Sequence, residues 1–150
     1  MPITYSTGSI FDSPANVLVC PVNCVGVMGK GLAKEFAKRW PKLEDRYKEY
    51  CELHRLAVGY PKFCGFIKEA FILFPTKQHW RDLSRIEWIG DGLYELANHV
   101  LRPSETVALP ALGCGLGGLA WPDVKALIEK YFGDSPIDAT VYLPTKEMNV

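Results

Sequence analysis

Twice in this chain a run of apolar residues ends in a glycine-rich loop and then passes into a segment with helical spacing. The first case is "VLVCPVNCVGVMGKGLAKEF" (17–36) and the second is "TVALPALGCGLGGLAWPDVKALI" (106–128). A short, uninterrupted apolar run suits a strand covered on both faces, which is the environment of a parallel sheet between helices. Both loops should then lie at the carboxyl edge of that sheet, where α/β folds collect their ligands. Few architectures accommodate this pattern twice in 150 residues.

The remaining segments fit the same plan. "ITYS" (3–6), "FCGFI" (63–67), "FILFP" (71–75) and "ATVYLP" (139–144) read as further strands. After the first glycines, Leu32, Phe36 and Trp40 share one helix face, with Ala33 and Ala37 beside them. Lys34, Glu35, Lys38 and Arg39 take the other face, and Pro41 ends the helix. A second helix is expected to bury Leu43, Tyr47, Tyr50 and Leu53. Residues 82–101 place Leu83, Ile86, Ile89, Leu93, Leu96 and Val100 at helical spacing. The last helix covers 121–133, with Pro122 in its first turn and Gly133 as its C-cap. Strands alternating with helices predict an α/β fold with a mostly parallel sheet, and the lack of repeats or linkers predicts one domain over residues 1–150.

Composition narrows the partners. Seventeen basic and seventeen acidic side chains cancel, so no global field draws the chain to nucleic acid or an anionic membrane, and any nucleic-acid contact must be local. The five cysteines form no C-x-x-C pair and join no histidine in a zinc pattern, so reduced thiols and no metal are expected. Neither a secretory signal nor a membrane-length apolar stretch is visible, which predicts a cytoplasmic protein without a membrane partner.

Neither loop is a standard nucleotide motif. Gly31 follows Gly29-Lys30 where a P-loop needs a Ser or Thr for magnesium. Gly113-x-Gly115-x-x-Gly118 has the dinucleotide spacing, but only 32 residues follow Gly118, too few to complete a dinucleotide domain. Tight turns alone would account for either loop in isolation. Two such loops at one sheet edge could instead clamp two phosphates with backbone N–H groups.

"VNCVGVMGKGLAKEF", "FPTKQHWR" and "LPALGCGLGGLAW", in this order, resemble the macrodomain family, in its ADP-ribosyl glycohydrolase branch. The likeness runs from about residue 3 to residue 144 and is nearest to the DNA-acting antitoxin members. It implies a mixed, mostly parallel sheet sandwiched between helices, with ADP-ribose across its edge and no cofactor. By that resemblance Asn23 binds the distal ribose. Gly26, Val27, Met28, Gly29, Lys30 and Gly31 line one side of the diphosphate, and Gly113, Cys114, Gly115, Leu116, Gly117 and Gly118 line the other. Ser9, Ile10 and Tyr142 fall at the adenine, although Tyr142 is equally readable as a core tyrosine. Two positions depart from the wider pattern. Ser9 stands where many members carry an adenine-binding aspartate, and Gly117 where the animal protein glycohydrolase carries a catalytic one.

The resemblance also sets Thr76 among the ADP-ribose-binding residues, and Lys77 after it matches the branch's catalytic lysine. It would either attack C1″ of the distal ribose or assist the leaving group by donating a hydrogen bond or proton. Its surroundings should lower its pKa. His79, Trp80 and Arg81 read either as a packing group or as contacts to the modified base, since basic and aromatic side chains interleaved stack single-stranded bases. Cys114 reads as a small loop residue. The expected activity is hydrolytic removal of ADP-ribose from a macromolecule, foremost from thymidine-type bases of single-stranded DNA. The alternatives are a non-catalytic ADP-ribose reader, an ADP-ribose 1″-phosphate phosphatase and a protein ADP-ribosyl glycohydrolase. An ADP-ribosyltransferase toxin as partner, and a monomeric state, complete the expectation.

Overall fold

The computed structural model describes residues 3–144. Six strands form one sheet: β1 (Ile3–Ser6), β2 (Val17–Val22), β3 (Lys62–Gly65), β4 (Ala70–Pro75), β5 (Thr106–Leu109) and β6 (Asp138–Tyr142). Their order across the sheet is β1-β6-β5-β2-β4-β3, with every pair parallel except β3–β4. Five strands therefore end at a common carboxyl edge, and the start of β3 joins them there.

Alternation along β2 and β4 assigns each residue to a face. Val17, Val19, Ile72 and Phe74 point into a core shared with α3 (Ile86–Glu95) and α4 (Trp121–Phe132). Cys20, Val22, Phe71 and Leu73 point into a second core shared with α1 (Gly31–Arg39) and α2 (Pro41–Glu52). All eight are buried, which accounts for the unbroken apolar spelling of these strands. On the α3 side the Phe74 ring seats directly against Gly92. A Cβ there would come within 2.4 Å of the ring, so only glycine lets the helix lie this close to the sheet.

Several expected details change. Leu53 is exposed rather than buried, because α2 stops at Glu52 and Leu53 caps it outside the helix; Tyr50 is only half-buried. β3 ends at Gly65, and Ile67 sits fully exposed in the turn to β4. β6 spans 138–142 rather than 139–144. The helix expected over 82–101 begins only at Ile86, with Leu83 exposed in the preceding loop, and widens into a π-helical turn over Leu96–Val100. That turn is closed by the Leu101 N–H bonding to the Leu96 carbonyl at 3.0 Å. Gly133 does follow α4, but at φ −58, an ordinary helical value, so it makes no left-handed cap.

Candidate functional site

The predicted residues fall along one edge in the order of the strands. Ser9 and Ile10 follow β1, Tyr142 ends β6, residues 113–118 follow β5, residues 23–31 follow β2, and Thr76 and Lys77 follow β4. The edge is thus a continuous shelf, with the two glycine loops at its centre and the lysine toward β3.

The first loop is built around Asn23. Its side-chain carbonyl accepts from the N–H groups of Val25 (3.0 Å) and Val27 (3.4 Å), and its amide donates to the Val27 carbonyl (2.8 Å). The Tyr47 hydroxyl, from the middle of α2, donates to Asn23 Oδ1 at 2.6 Å and accepts the Gly26 N–H at 3.2 Å. Burial pushes the Tyr47 hydroxyl far above its usual pKa, so it remains a neutral donor. These bonds hold the loop open in front of α1. Lys30 is the N-cap there without a side-chain cap bond, so the first N–H groups of α1 are available to an anion. Gly26 (φ 88) and Gly31 (φ 61) take the left-handed turns this path requires. Met28 is a correction in part: its side chain is buried in the α1–α2 core, so only its backbone can line the shelf.

The second loop folds back on itself through Cys114 N–H to Ala111 O, Gly118 N–H to Gly115 O and Leu119 N–H to Gly113 O, at 2.9 to 3.1 Å. Leu116 at its tip is exposed, and its Cδ1 reaches within 3.9 Å of where a Cβ on Gly31 would stand, so the two loops face each other and approach at this point. The Cys114 thiol is buried, donates toward the Leu112 carbonyl, and is pushed by burial up to about 11. It is a packing group and not a thiolate.

The Gly117 position has a physical reason to lack a side chain. A Cβ there would lie 2.4 Å from Ser84 Oγ and 2.6 Å from the Gly113 carbonyl oxygen. Ser84 is buried, and its N–H donates to the Gly117 carbonyl at 2.9 Å. A side chain at 117 would therefore force the loop to shift.

β2 and β4 pair in register to Val22–Pro75, and the ladder continues through Thr76 N–H to Val22 O and Cys24 N–H to Gln78 O, both 2.9 Å. This sets buried Thr76 beside Asn23 and brings Lys77 out next to the first loop. Lys77 is half-buried, and its Nζ donates to the Trp80 carbonyl at 3.2 Å. Desolvation lowers its pKa, an effect that the Asp82 carboxylate partly offsets. His79 and Trp80 pack at 5.2 Å between ring centroids, and the Arg81 guanidinium lies 4.6 Å over the Trp80 ring. Trp80 nonetheless keeps 42% of its surface exposed.

At the β1 end Ser9 caps a short 3-10 turn (Ile10–Asp12), its hydroxyl accepting the Phe11 N–H at 3.2 Å. Ile10 is buried, and Tyr142 packs half-buried against the α1–α2 core. Among the described residues no cluster of three or more His, Cys, Asp or Glu is arranged to hold a metal, and no helix is long and apolar enough to cross a membrane.

This shelf, with glycine loops facing each other over the ends of adjacent parallel strands, agrees with a family match. The Macro domain model covers residues 19–128. The chain is a macrodomain. A DNA ADP-ribosyl glycohydrolase of Mycobacterium tuberculosis is 38% identical over 150 residues, covering 95% of this chain and 42% of that protein. The macrodomain of Mycobacterium tuberculosis DarG superposes with a TM-score of 0.89 at 36% identity, covering 95% of this chain and 98% of that one. Thermosipho africanus DarTG in complex with ADP-ribose gives a TM-score of 0.90 at 33% identity, covering 96% of this chain and 42% of that one. The chain thus spans about two fifths of the length of the curated relatives it matches.

Three residues of this macrodomain's site escaped the sequence reading. Tyr47 reads as one more apolar position of α2, Ser84 as a polar position in the helix expected over 82–101, and Gln78 as a polar residue beside the lysine. Only the folded chain shows that the first two organise the two glycine loops and that Gln78 ties the lysine segment to Cys24.

Proposed function

We propose that this macrodomain binds ADP-ribose along the shelf and hydrolyses its bond to a modified DNA base, with Lys77 at the distal ribose. The observation that carries the reading is the alignment of two facing glycine loops with a half-buried, pKa-lowered lysine at the ends of β5, β2 and β4. The relatives support it, since DNA ADP-ribosyl glycohydrolases match across most of this chain.

In this reading adenine lies over Ile10 beside Tyr142. Ser9 has one lone pair committed to Phe11, and its O–H is free to donate to a ring nitrogen. The diphosphate takes the α1 N-terminus and the N–H groups of both loops. Asn23 keeps one amide hydrogen for the distal ribose, because its other polar positions maintain the loop. Lys77 then faces C1″. With no carboxylate at 117 to act as base, its role is to stabilise the departing base or to add as an amine, both of which its lowered pKa favours.

A thymidine-type base on single-stranded DNA is the substrate, and an ADP-ribosyltransferase is the partner that makes it. DNA as the carrier and a transferase as the partner are supported by a relative named a DNA ADP-ribosyl transferase–DNA ADP-ribosyl glycohydrolase fusion protein. The test is incubation of the protein and of Lys77→Ala with ADP-ribosylated single-stranded DNA. Wild type is expected to release ADP-ribose and Lys77→Ala to be slower by about 100-fold or more, the scale of one acid–base group. Equal rates, or no release by wild type, refute the reading. ADP-ribose binding without turnover on any linkage would leave a reader.

A further inference from the structure

A cavity of about 440 Å³ opens between the first loop and the segment that follows Lys77, outside the shelf. It is bounded by Cys24 and Val25 of the first loop, by residues 54–58 ahead of β3, and by Gln78, His79 and Asp82 after β4. We infer that this cavity is the subsite for the departing nucleobase. The inference rests on the proposed placement of ADP-ribose.

Topology gives the direction. Adenine at β1 and β6, diphosphate at β5 and β2, and Lys77 at β4 lay the ligand out across the sheet order. Whatever C1″ carries then continues in the same direction, over β4 and the start of β3. Because β3 is antiparallel to β4, the segment ahead of β3 arrives at this same edge, and its His54, Leu56, Ala57 and Val58 form the far wall. The volume lies within the roughly 300–1,000 Å³ of small-molecule pockets, ample for a base and part of its sugar.

The chemistry of the walls suits a base whose ring nitrogen is flanked by carbonyls. The Arg81 N–H donates to His79 Nδ1 at 3.1 Å, so in the neutral ring Nε2 carries the proton and is a donor. The exposed Gln78 amide adds a second donor, since its backbone carbonyl, not its side chain, is the group bonded to Cys24. Val25, Leu56, Ala57 and Val58 provide apolar surface for the ring face. When the C1″–N bond breaks, its electron pair goes to the base and spreads onto those carbonyl oxygens, where such donors stabilise it. Water supplies hydroxyl to C1″ and a proton to the base. Asp82 accepts from the His79 backbone N–H at 3.0 Å and fixes the chain at this wall.

His54 marks the same wall in another way. It is the one non-glycine residue with positive φ (54) among the described residues, and its N–H bonds to the Cys51 carbonyl at 3.1 Å. Such a conformation persists where surrounding structure demands it, here the tight exit from α2 that shapes the cavity.

The test uses the inactive Lys77→Ala protein and calorimetry with two ligands, ADP-ribose and an ADP-ribosylated thymidine dinucleotide. The base should add at least about tenfold to affinity, within the range for stacking one base. Ala57→Trp, at an exposed cavity position, should remove that increment while ADP-ribose binds within twofold; His79→Ala should reduce it. No increment in the parent, an increment surviving both substitutions, or equal weakening of ADP-ribose by Ala57→Trp would overturn the assignment. So would an equal, Ala57→Trp-sensitive increment with an ADP-ribosylated glutamyl peptide. An increment without release of ADP-ribose by the wild-type protein refutes the hydrolase reading and leaves the subsite standing.

Discussion

Gly117→Ala tests the second loop most directly. The new Cβ would stand 2.4 Å from Ser84 Oγ and 2.6 Å from the Gly113 carbonyl oxygen, against the roughly 3.5 Å of an unstrained contact. Ser84 can rotate away. The Gly113 carbonyl cannot, because it accepts the Leu119 N–H at 2.9 Å and so anchors the turn. Relief therefore needs the loop to open by nearly 1 Å. Overpacking of this kind costs about 1–3 kcal/mol, and at about 2–4 °C per kcal/mol the melting midpoint falls by roughly 5 °C. Moving the loop also displaces N–H groups from the diphosphate. A lost charge-assisted bond is worth about 1.5–3 kcal/mol, which weakens ADP-ribose binding by roughly 10- to 150-fold. Gly117→Asp should fare worse and gain no activity toward protein esters. Differential scanning calorimetry and titration calorimetry read both quantities. A midpoint within 1 °C of wild type together with ADP-ribose affinity within twofold would show that the loop tolerates a side chain, and the reasoning would be wrong.

Other perturbations address the remaining parts. Tyr47→Phe leaves the Gly26 N–H without its acceptor and Asn23 without its shortest bond; urea denaturation should show a loss of about 2 kcal/mol, with ADP-ribose affinity falling several-fold. Ser84→Ala should be neutral or stabilising by up to about 1 kcal/mol, because the Ser84 hydroxyl is buried without a hydrogen-bond partner among the described residues; a loss above 1 kcal/mol would reveal one. For Lys77, whose folded pKa lies below its unfolded value, the unfolded chain holds more protons between the two, so stability rises with pH across that window and the penalty is complete below it. Lys77→Met should accordingly show a flatter stability profile between the lowered value and about 10.4 in denaturation series. Cys114→Ala should keep hydrolysis within threefold, and Cys114 should resist iodoacetamide at pH 7.5, since its thiol is held at about 11.

Much of this arrangement was legible before folding, for identifiable reasons. β2 and β4 are covered on both faces, so their spelling is apolar without alternation and their ends are sharp. The glycines at 26, 31, 113 and 118 have positive φ, a demand that only their residue type announces. Lys77 follows a strand whose end was plain, which placed it at the edge. What stayed hidden depends on tertiary neighbours. Tyr47 keeps helix periodicity whether or not its hydroxyl organises a loop 24 residues away. Leu83 continues the period of α3 backwards, yet Arg85, in extended conformation, starts that helix later. Seating of the Phe74 ring on Gly92 follows from the closeness of two layers, which no local pattern records.

The position of β6 has one more consequence. It lies between β1 and β5, pairing Ile3 with Ala139 and Thr106 with Asp138, so strands far apart in the chain become neighbours only when β6 slides between them. Until residues 138–142 have left the ribosome, β1 has no sheet partner, and the Ser9–Tyr142 end of the shelf does not exist. Ring closure across more than 130 residues makes this a slow, late event in folding. A nascent chain should thus assemble the Lys77 end of the shelf first and the Ser9–Tyr142 end last.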